Sequence, residues 1–227
     1  EQISLNEYRQ YEALNHLIRL LNLDFPLKPT RRAAASPDFL LCLYLQIIEQ
    51  RPKLVVELGS GVSTIVAAAA LKHNGDGEIH SFDHLKKYGE ETSDQLRFQK
   101  LNDIATVHIT PLDTWLPKKP SVLGKEWKWY SIPEEFSCNK IIDLLVVDGP
   151  PQGQQDSPYA RYPAVPHFYD KLGETSVVML DDASREQELA IAKAWTSEWN
   201  MRRDYRRQFE KGLCILQPRA SSVANEA

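Results

Sequence analysis

The chain has 227 residues, of which 42% are hydrophobic and 26% charged, and its formal net charge is −4. That length and apolar content suffice for one large core, and the acidic balance gives no reason to expect nucleic acid as a partner. No apolar run reaches the ~18 residues of a membrane span, so neither a membrane nor a secretory leader is expected.

In chain order, residues 5–23 place Leu14, Leu17, Ile18 and Leu21 on one face of an amphipathic helix. Asp24-Phe25-Pro26 and Pro29 break it. Ser36-Pro37-Asp38 is a helix start, with Ser36 as N-cap and Pro37 in the first turn, and the helix runs to Gln50 just before Pro52. Leu54-Val55-Val56 then reads as a buried parallel strand, stops at Glu57, passes Gly59 and Gly61, and enters a helical pattern over 65–71. Glycines there let the chain turn sharply and let a ligand approach the backbone at the C-terminal end of a strand. The dinucleotide fingerprint G-x-G-x-x-G fails because Thr64 occupies its last position.

A second strand over 79–83 ends in Asp83, where an acid can take both hydroxyls of a ribose. A third, over 105–110, leads into Pro111-Leu112-Asp113. Residues 117–139 are irregular and rich in Pro, Lys and Trp. The aromatics Trp115, Trp127, Trp129 and Tyr130 there form either the wall of a pocket or a packed surface insertion. A fourth strand runs over 142–148 into Asp148-Gly149-Pro150, and a fifth over 176–180 into Asp181-Asp182. Any one of these terminal acids could simply cap the next helix. Ser184 is a candidate N-cap for a helix over 185–199, and strands over 201–209 and 213–217 close a hairpin. Arg202, Arg203, Arg206 and Arg207 fit an edge strand protected by charge. Cys42, Cys138 and Cys214 lack metal-ligand spacing, and Cys42 and Cys214 lie in apolar runs. A reduced, cytoplasmic setting is expected.

The segment from Val55 to Thr64, with its E-x-G-x-G, resembles motif I of class I S-adenosylmethionine (SAM) methyltransferases. Together with Val146-Val147-Asp148-Gly149-Pro150-Pro151, Ala160-Arg161-Tyr162-Pro163-Ala164 and Leu180-Asp181-Asp182, it makes the chain similar to the methyltransferase-24-type group. The resemblance implies an α/β fold: a Rossmann-like, seven-stranded, mostly parallel sheet in order 3-2-1-4-5-7-6, with helices on both faces. Residues 36–218 would form the methyltransferase domain, 1–35 an N-terminal helical cover and 219–227 a flexible tail. It also implies SAM as cofactor, held by Glu57, Gly59, Ser60, Gly61, Ser63 and Thr64, with Asp83 at the ribose, Asp113 near the adenine and Asp148 at the fourth strand end.

The acids are also placed as in metal-dependent O-methyltransferases, which implies that Asp148, Asp181 and Asp182 hold Mg2+. Such an ion lowers the pKa of an acceptor hydroxyl and orients it. Without a cation, three converging carboxylates would repel and raise at least one pKa. Alternatively, Asp182 caps the next helix. The short acid or lysine that some of those families place after the fourth strand is replaced by Gly149, Pro150 and Pro151. The catalytic candidates are therefore Asp148, through the metal, and His84 and His167 as bases. Arg161 and Tyr162 either anchor a polar substrate or fix their loop, and Trp129 is a candidate pocket wall. The expected activity is methyl transfer to a small-molecule hydroxyl, on a sugar or related metabolite. A non-catalytic SAM-binding or regulatory module is the alternative. The first helix could pack on its own domain or on a second copy in a homodimer.

Overall fold

The computed structural model describes residues 4–133, 136, 140–152 and 157–219. Cys138 and all of the expected tail except Arg219 lie outside the described residues. Helix α1 spans Leu5–Leu21, and Ser4 caps it: its Oγ accepts from Glu7 N at 3.2 Å while Glu7 Oε2 accepts from Ser4 N at 2.9 Å. It stops two residues short of the expected end because Asn22 turns left-handed, at φ 44°. Helix α2 is Pro37–Gln50. The Ser36 hydroxyl donates to Asp38 Oδ1 at 2.6 Å instead of capping a helix amide.

Strand β1 (Leu54–Leu58), helix α3 (Val62–Asn74), β2 (Glu78–Asp83), α4 (Lys86–Phe98) and β3 (Ala105–Ile109) follow as alternating units. Two short strands, β4 (Leu112–Trp115) and β5 (Trp127–Tyr130), pair antiparallel as a separate ribbon. Then come β6 (Ile142–Val147), the short α5 (Ala164–Phe168), β7 (Leu172–Leu180), α6 (Glu186–Glu198), β8 (Met201–Arg206) and β9 (Leu213–Pro218). The main sheet has seven strands in the order β3-β2-β1-β6-β7-β9-β8. Only β9 runs antiparallel to its neighbours, β7 and β8. The ribbon lies outside this sheet, so the expected order 3-2-1-4-5-7-6 is the observed one.

The central strands read as continuous apolar runs because both of their faces are covered. Val55, Leu144, Val146 and Met179 pack towards α2 and α3, while Val56, Leu58, Leu145 and Val147 pack towards α5, α6 and the ribbon. Burying each such side chain is worth about 1.5–3 kcal/mol, so the sheet is the stiff frame on which the loops are mounted. α1 packs outside α2 through Leu17 and Leu21. No helix of the described residues is long and apolar enough to cross a membrane. From β1 the chain winds outward to β2 and β3, and from β6 it winds the opposite way to β7. The crevice between the C-terminal ends of β1 and β6 is thus the switch point at which open α/β sheets bind ligands.

Candidate active site

A cavity of about 470 Å³ opens at that crevice. Its floor is the loop Gly59–Ser63, and Asp83 and His84 line it from the end of β2, Asp148 and Gly149 from the end of β6. Gly59 has φ +97°, and a Cβ on it would lie 3.1 Å from Gly149 N, so only glycine lets the two loops meet. Ser63 lines the cavity, whereas Glu57 and Thr64 are fully buried behind it. Glu57 Oε2 accepts from Thr64 Oγ1 at 2.5 Å and from Ser81 Oγ at 2.7 Å, and Thr64 Oγ1 accepts from Gly61 N at 3.0 Å. The motif acid therefore braces the loop from below. Burial pushes its carboxyl up to about 7, against the lowering effect of those hydroxyls.

Asp83 is bound to the same loop. Its Oδ2 accepts from Ser60 N at 3.2 Å and Ser60 Oγ at 2.7 Å, and its Oδ1 accepts from Leu85 N at 2.9 Å. The His84 ring lies 3.8 Å from Asp83 Oδ1. Sequence reasoning missed the remaining walls. One is the face of α4 and the residues before it, with Leu85, Tyr88, Thr92 and Gln95; their spacing of three, four and three residues was a legible helical stripe. Another is the segment after α1, with Leu27–Pro29 and Ala33–Ala35. Of the aromatics expected as a pocket wall, Tyr130 does border the cavity, and its buried hydroxyl has no hydrogen-bond partner among the described residues.

Several expected site residues lie elsewhere. Asp113 sits exposed on β4, opposite Trp129, and does not border the cavity. Trp129 is fully buried in the core, because alternation along β5 turns it inward against Phe168 and His167. His167 lies on α5 against that ring, 4.8 Å between centroids, and is also outside the cavity wall. Burial, with Lys171 and Lys118 near, lowers its pKa to about 4. Tyr162 is fully buried, stacked on Trp127 with its hydroxyl donating to Glu198 Oε2 at 2.5 Å. Of its two open roles, fixing the loop is the one its contacts serve.

Asp148, Asp181 and Asp182 do converge: one oxygen of each lies within 4.8 Å of the others. Successive residues of a strand point to opposite faces, but Asp182 turns left-handed, at φ 58°, which brings its carboxylate to the same cluster as Asp181. Asp182 therefore does not cap α6, whose N-cap is Arg185 and not Ser184. Arg161, 3% exposed, stands among the acids and not in the cavity wall. Its Nη2 donates to Asp182 Oδ2 at 2.9 Å, to Asp148 Oδ1 at 3.2 Å and to the Asp148 carbonyl at 2.7 Å. Its Nη1 donates to the Asp181 carbonyl at 3.0 Å. Arg185 reaches Asp182 Oδ2 at 2.9 Å, and Lys211 lies 3.7 Å from Asp182 Oδ1.

Burial raises the Asp148 carboxyl to about 6 against the pull of Arg161. Burial, with Asp148 and Asp182 beside it, holds Asp181 well above the usual carboxylate range. The repulsion expected of converging acids is thus present. The donor set nevertheless does not fit Mg2+, which needs oxygens at about 2.0–2.1 Å in a near-ideal octahedron. A guanidinium nitrogen already bridges two of the three carboxylates. In favour of an added ion, Asp181 Oδ2 is buried without a hydrogen-bond partner among the described residues, as are both carboxylate oxygens of the neighbouring Glu188.

Comparison with known proteins agrees with this architecture. The Methyltransf_24 family model, described as a methyltransferase domain, matches residues 56–183. Among solved structures, the SAH-bound methyltransferase PaMTH1 of Podospora anserina is similar at TM-score 0.61 and 12% identity, over 96% of this chain and 99% of that one. An O-methyltransferase of Bacillus cereus in complex with SAH is similar at TM-score 0.59 and 14% identity, over 95% and 97%. The O-methyltransferase TomG of Streptomyces achromogenes, in complex with SAM, gives TM-score 0.51 and 13% identity, over 96% and 91%. At these identities the likeness is one of fold. No curated protein matches the chain.

Proposed function

The chain belongs to the Methyltransf_24 family of methyltransferase domains, and from that premise we propose that it transfers a methyl group from SAM to a hydroxyl oxygen of a small molecule, a sugar or related metabolite. The observation that carries this reading is the switch-point cavity, where a glycine loop, the carboxylate of Asp83 and the carboxyl of Asp148 face one space. Its volume, about 470 Å³, falls in the ~300–1,000 Å³ range of small-ligand sites. The solved relatives holding SAH or SAM support the choice of cofactor.

When bound, the cofactor supplies an electrophilic methyl carbon on a sulfonium. The chain's own part is positioning and proton handling. Gly59, Ser60 and Gly61 offer backbone at close range, and Asp83, already oriented by Ser60 and Leu85, offers charged oxygens to hydroxyl donors. The apolar walls from Val62, Ile65, Leu85 and Pro151 exclude water around the reacting atoms. A hydroxyl acceptor that took up the methyl carbon would have to give up its proton. Of the two expected bases, His84 borders the cavity and His167 does not; Asp148, expected to act through a metal, borders it too, and His84 and Asp148 can take the proton.

The test is calorimetric titration of SAH into EDTA-treated protein, followed by incubation of labelled SAM with a metabolite pool. Micromolar SAH binding and label transfer to an acceptor are expected. Binding without transfer would favour the non-catalytic SAM-binding module, and absence of binding would sink the reading.

A further inference from the structure

Arg161 is fixed before any ligand arrives. It lies in the turn ahead of α5, between Ala160 and Tyr162, both buried. Tyr162 N donates to the Tyr159 carbonyl at 2.9 Å, and Ala164 N to the Arg161 carbonyl at 3.2 Å. The Tyr162 ring is clamped on Trp127 at 4.7 Å, and Trp195 Nε1 donates to the Tyr162 carbonyl at 2.9 Å. A side chain rooted in such a turn, 3% exposed and donating to four acceptors, would have to break those bonds to make way for an ion. Its planar fork reaches both strand ends at once: the carbonyl and carboxylate of Asp148 after β6, the carbonyl of Asp181 and the carboxylate of Asp182 after β7.

Charge counting points the same way. The trio alone carries −3 when ionised, but the full cluster sets Asp148, Asp181, Asp182 and Glu188 against Arg161, Arg185 and Lys211, a balance of −1. A divalent ion would therefore meet little net attraction and a guanidinium in direct contact with two of its three ligands. That guanidinium cannot be neutralised at any ordinary pH.

We propose that Arg161 is a positioning residue that replaces the divalent cation with a cation of the chain itself, tying the ends of β6 and β7 together so that the site works without a metal. The structural half of this stands by itself, and only the phrase about the working site rests on the methyltransferase reading.

The experiment is titration of Mn2+ and Mg2+ into EDTA-treated protein by calorimetry, for the wild type, Arg161→Met, Arg161→Lys and Asp148→Asn, with SAH titrated into each. The wild type should show no saturable metal binding and an SAH affinity unchanged by Mn2+. Arg161→Met should gain Mn2+ affinity by roughly tenfold or more, as expected for removing a unit charge in contact with the ion. Arg161→Lys, which keeps the charge, should stay silent towards metal. Saturable Mn2+ binding by the wild type that is lost in Asp148→Asn would overturn the proposal, even if Arg161→Met fails to fold. A folded Arg161→Met that stays silent would overturn it too. Loss of SAH binding by the wild type would instead strike the methyltransferase reading and leave the metal result to stand.

Discussion

Asp83 faces the cavity with its oxygens already oriented by three bonds, from Ser60 N, Ser60 Oγ and Leu85 N. Asp83→Asn keeps an oxygen for the loop but loses the charge. SAH affinity should fall by about tenfold or more, since a hydrogen bond to a charged group contributes ~1.5–3 kcal/mol; unchanged affinity on calorimetry would remove Asp83 from the ribose site. Tyr130 offers a sharper contrast. Its buried hydroxyl, without a partner among the described residues, costs the free protein about 1–3 kcal/mol. Tyr130→Phe should therefore raise the melting temperature while weakening SAH binding, and a higher melting temperature with full affinity would make the hydroxyl a mere orphan. Glu57 links the loop to pH. Its carboxyl is raised from 4.5 to about 7 by burial, so the folded chain holds a proton that the unfolded chain releases. That contribution is complete below pH 4.5 and lost as pH rises to about 7, at up to about 1.4 kcal/mol per unit. Glu57→Gln can accept the same hydroxyls and lacks this loss. Its stability relative to the wild type, read from urea melts, should grow across that window, and parallel curves would refute the assignment.

The elements that were legible in the sequence are those buried on both faces. β1 and β6 are mostly apolar, and each end was placed to within one residue: β1 runs on to Leu58, past a Glu57 that is buried inside it, and β6, which carries Asp143, ends at Val147 just before Asp148. The β4–β5 ribbon was not legible. Its strands have four residues each, and surrounding lysines and prolines hide the W-K-W alternation that turns Trp127 and Trp129 inward. Mistaking the ribbon for loop is what misplaced Trp129 and Asp113. α5, with five residues, is too short for periodicity to show which of its faces packs inward, and so His167, half-buried against Trp129, stood as a candidate base. Its lowered pKa has a sign opposite to that of Glu57. The unfolded imidazole takes a proton near 6.5 and the folded one only near 4, so stability is complete above 6.5 and lost as pH falls towards 4. His167→Leu should lose less stability than the wild type between those limits, and an equal acid slope would refute the burial argument. The two groups oppose each other over much of the same range, which is why single variants are needed to see either.

At the scale of the molecule, the strand order followed from the family resemblance, whereas the edge strand was readable from its charges: β8 carries exposed Arg202, Arg203 and Asp204 along the open side of the sheet. What could not be read was the closing of the cavity by the segment after α1, since that contact joins residues far apart in the chain and follows no period. This wall is held by ionic tethers, Lys28 to Glu91 at 2.9 Å and Arg31 to Glu210 at 3.0 Å. The Lys28–Glu91 pair is close to half exposed on both sides, and such pairs are worth ~0.2–1 kcal/mol. Glu91→Gln should speed SAH dissociation by up to roughly fivefold at low ionic strength, and the difference should vanish in high salt. A stopped-flow rate equal to the wild type's at low salt would show that the tether does not gate the cavity. The buried Arg161 has a different consequence. Metal enzymes must take their ion from whatever pool surrounds them, and Cu2+ or Zn2+ outcompetes Mg2+ at most oxygen and nitrogen sites. On the proposal that Arg161 stands in for the ion, a guanidinium carried by the chain itself is neither exchanged nor starved, and activity would not follow the trace-metal status of the surroundings.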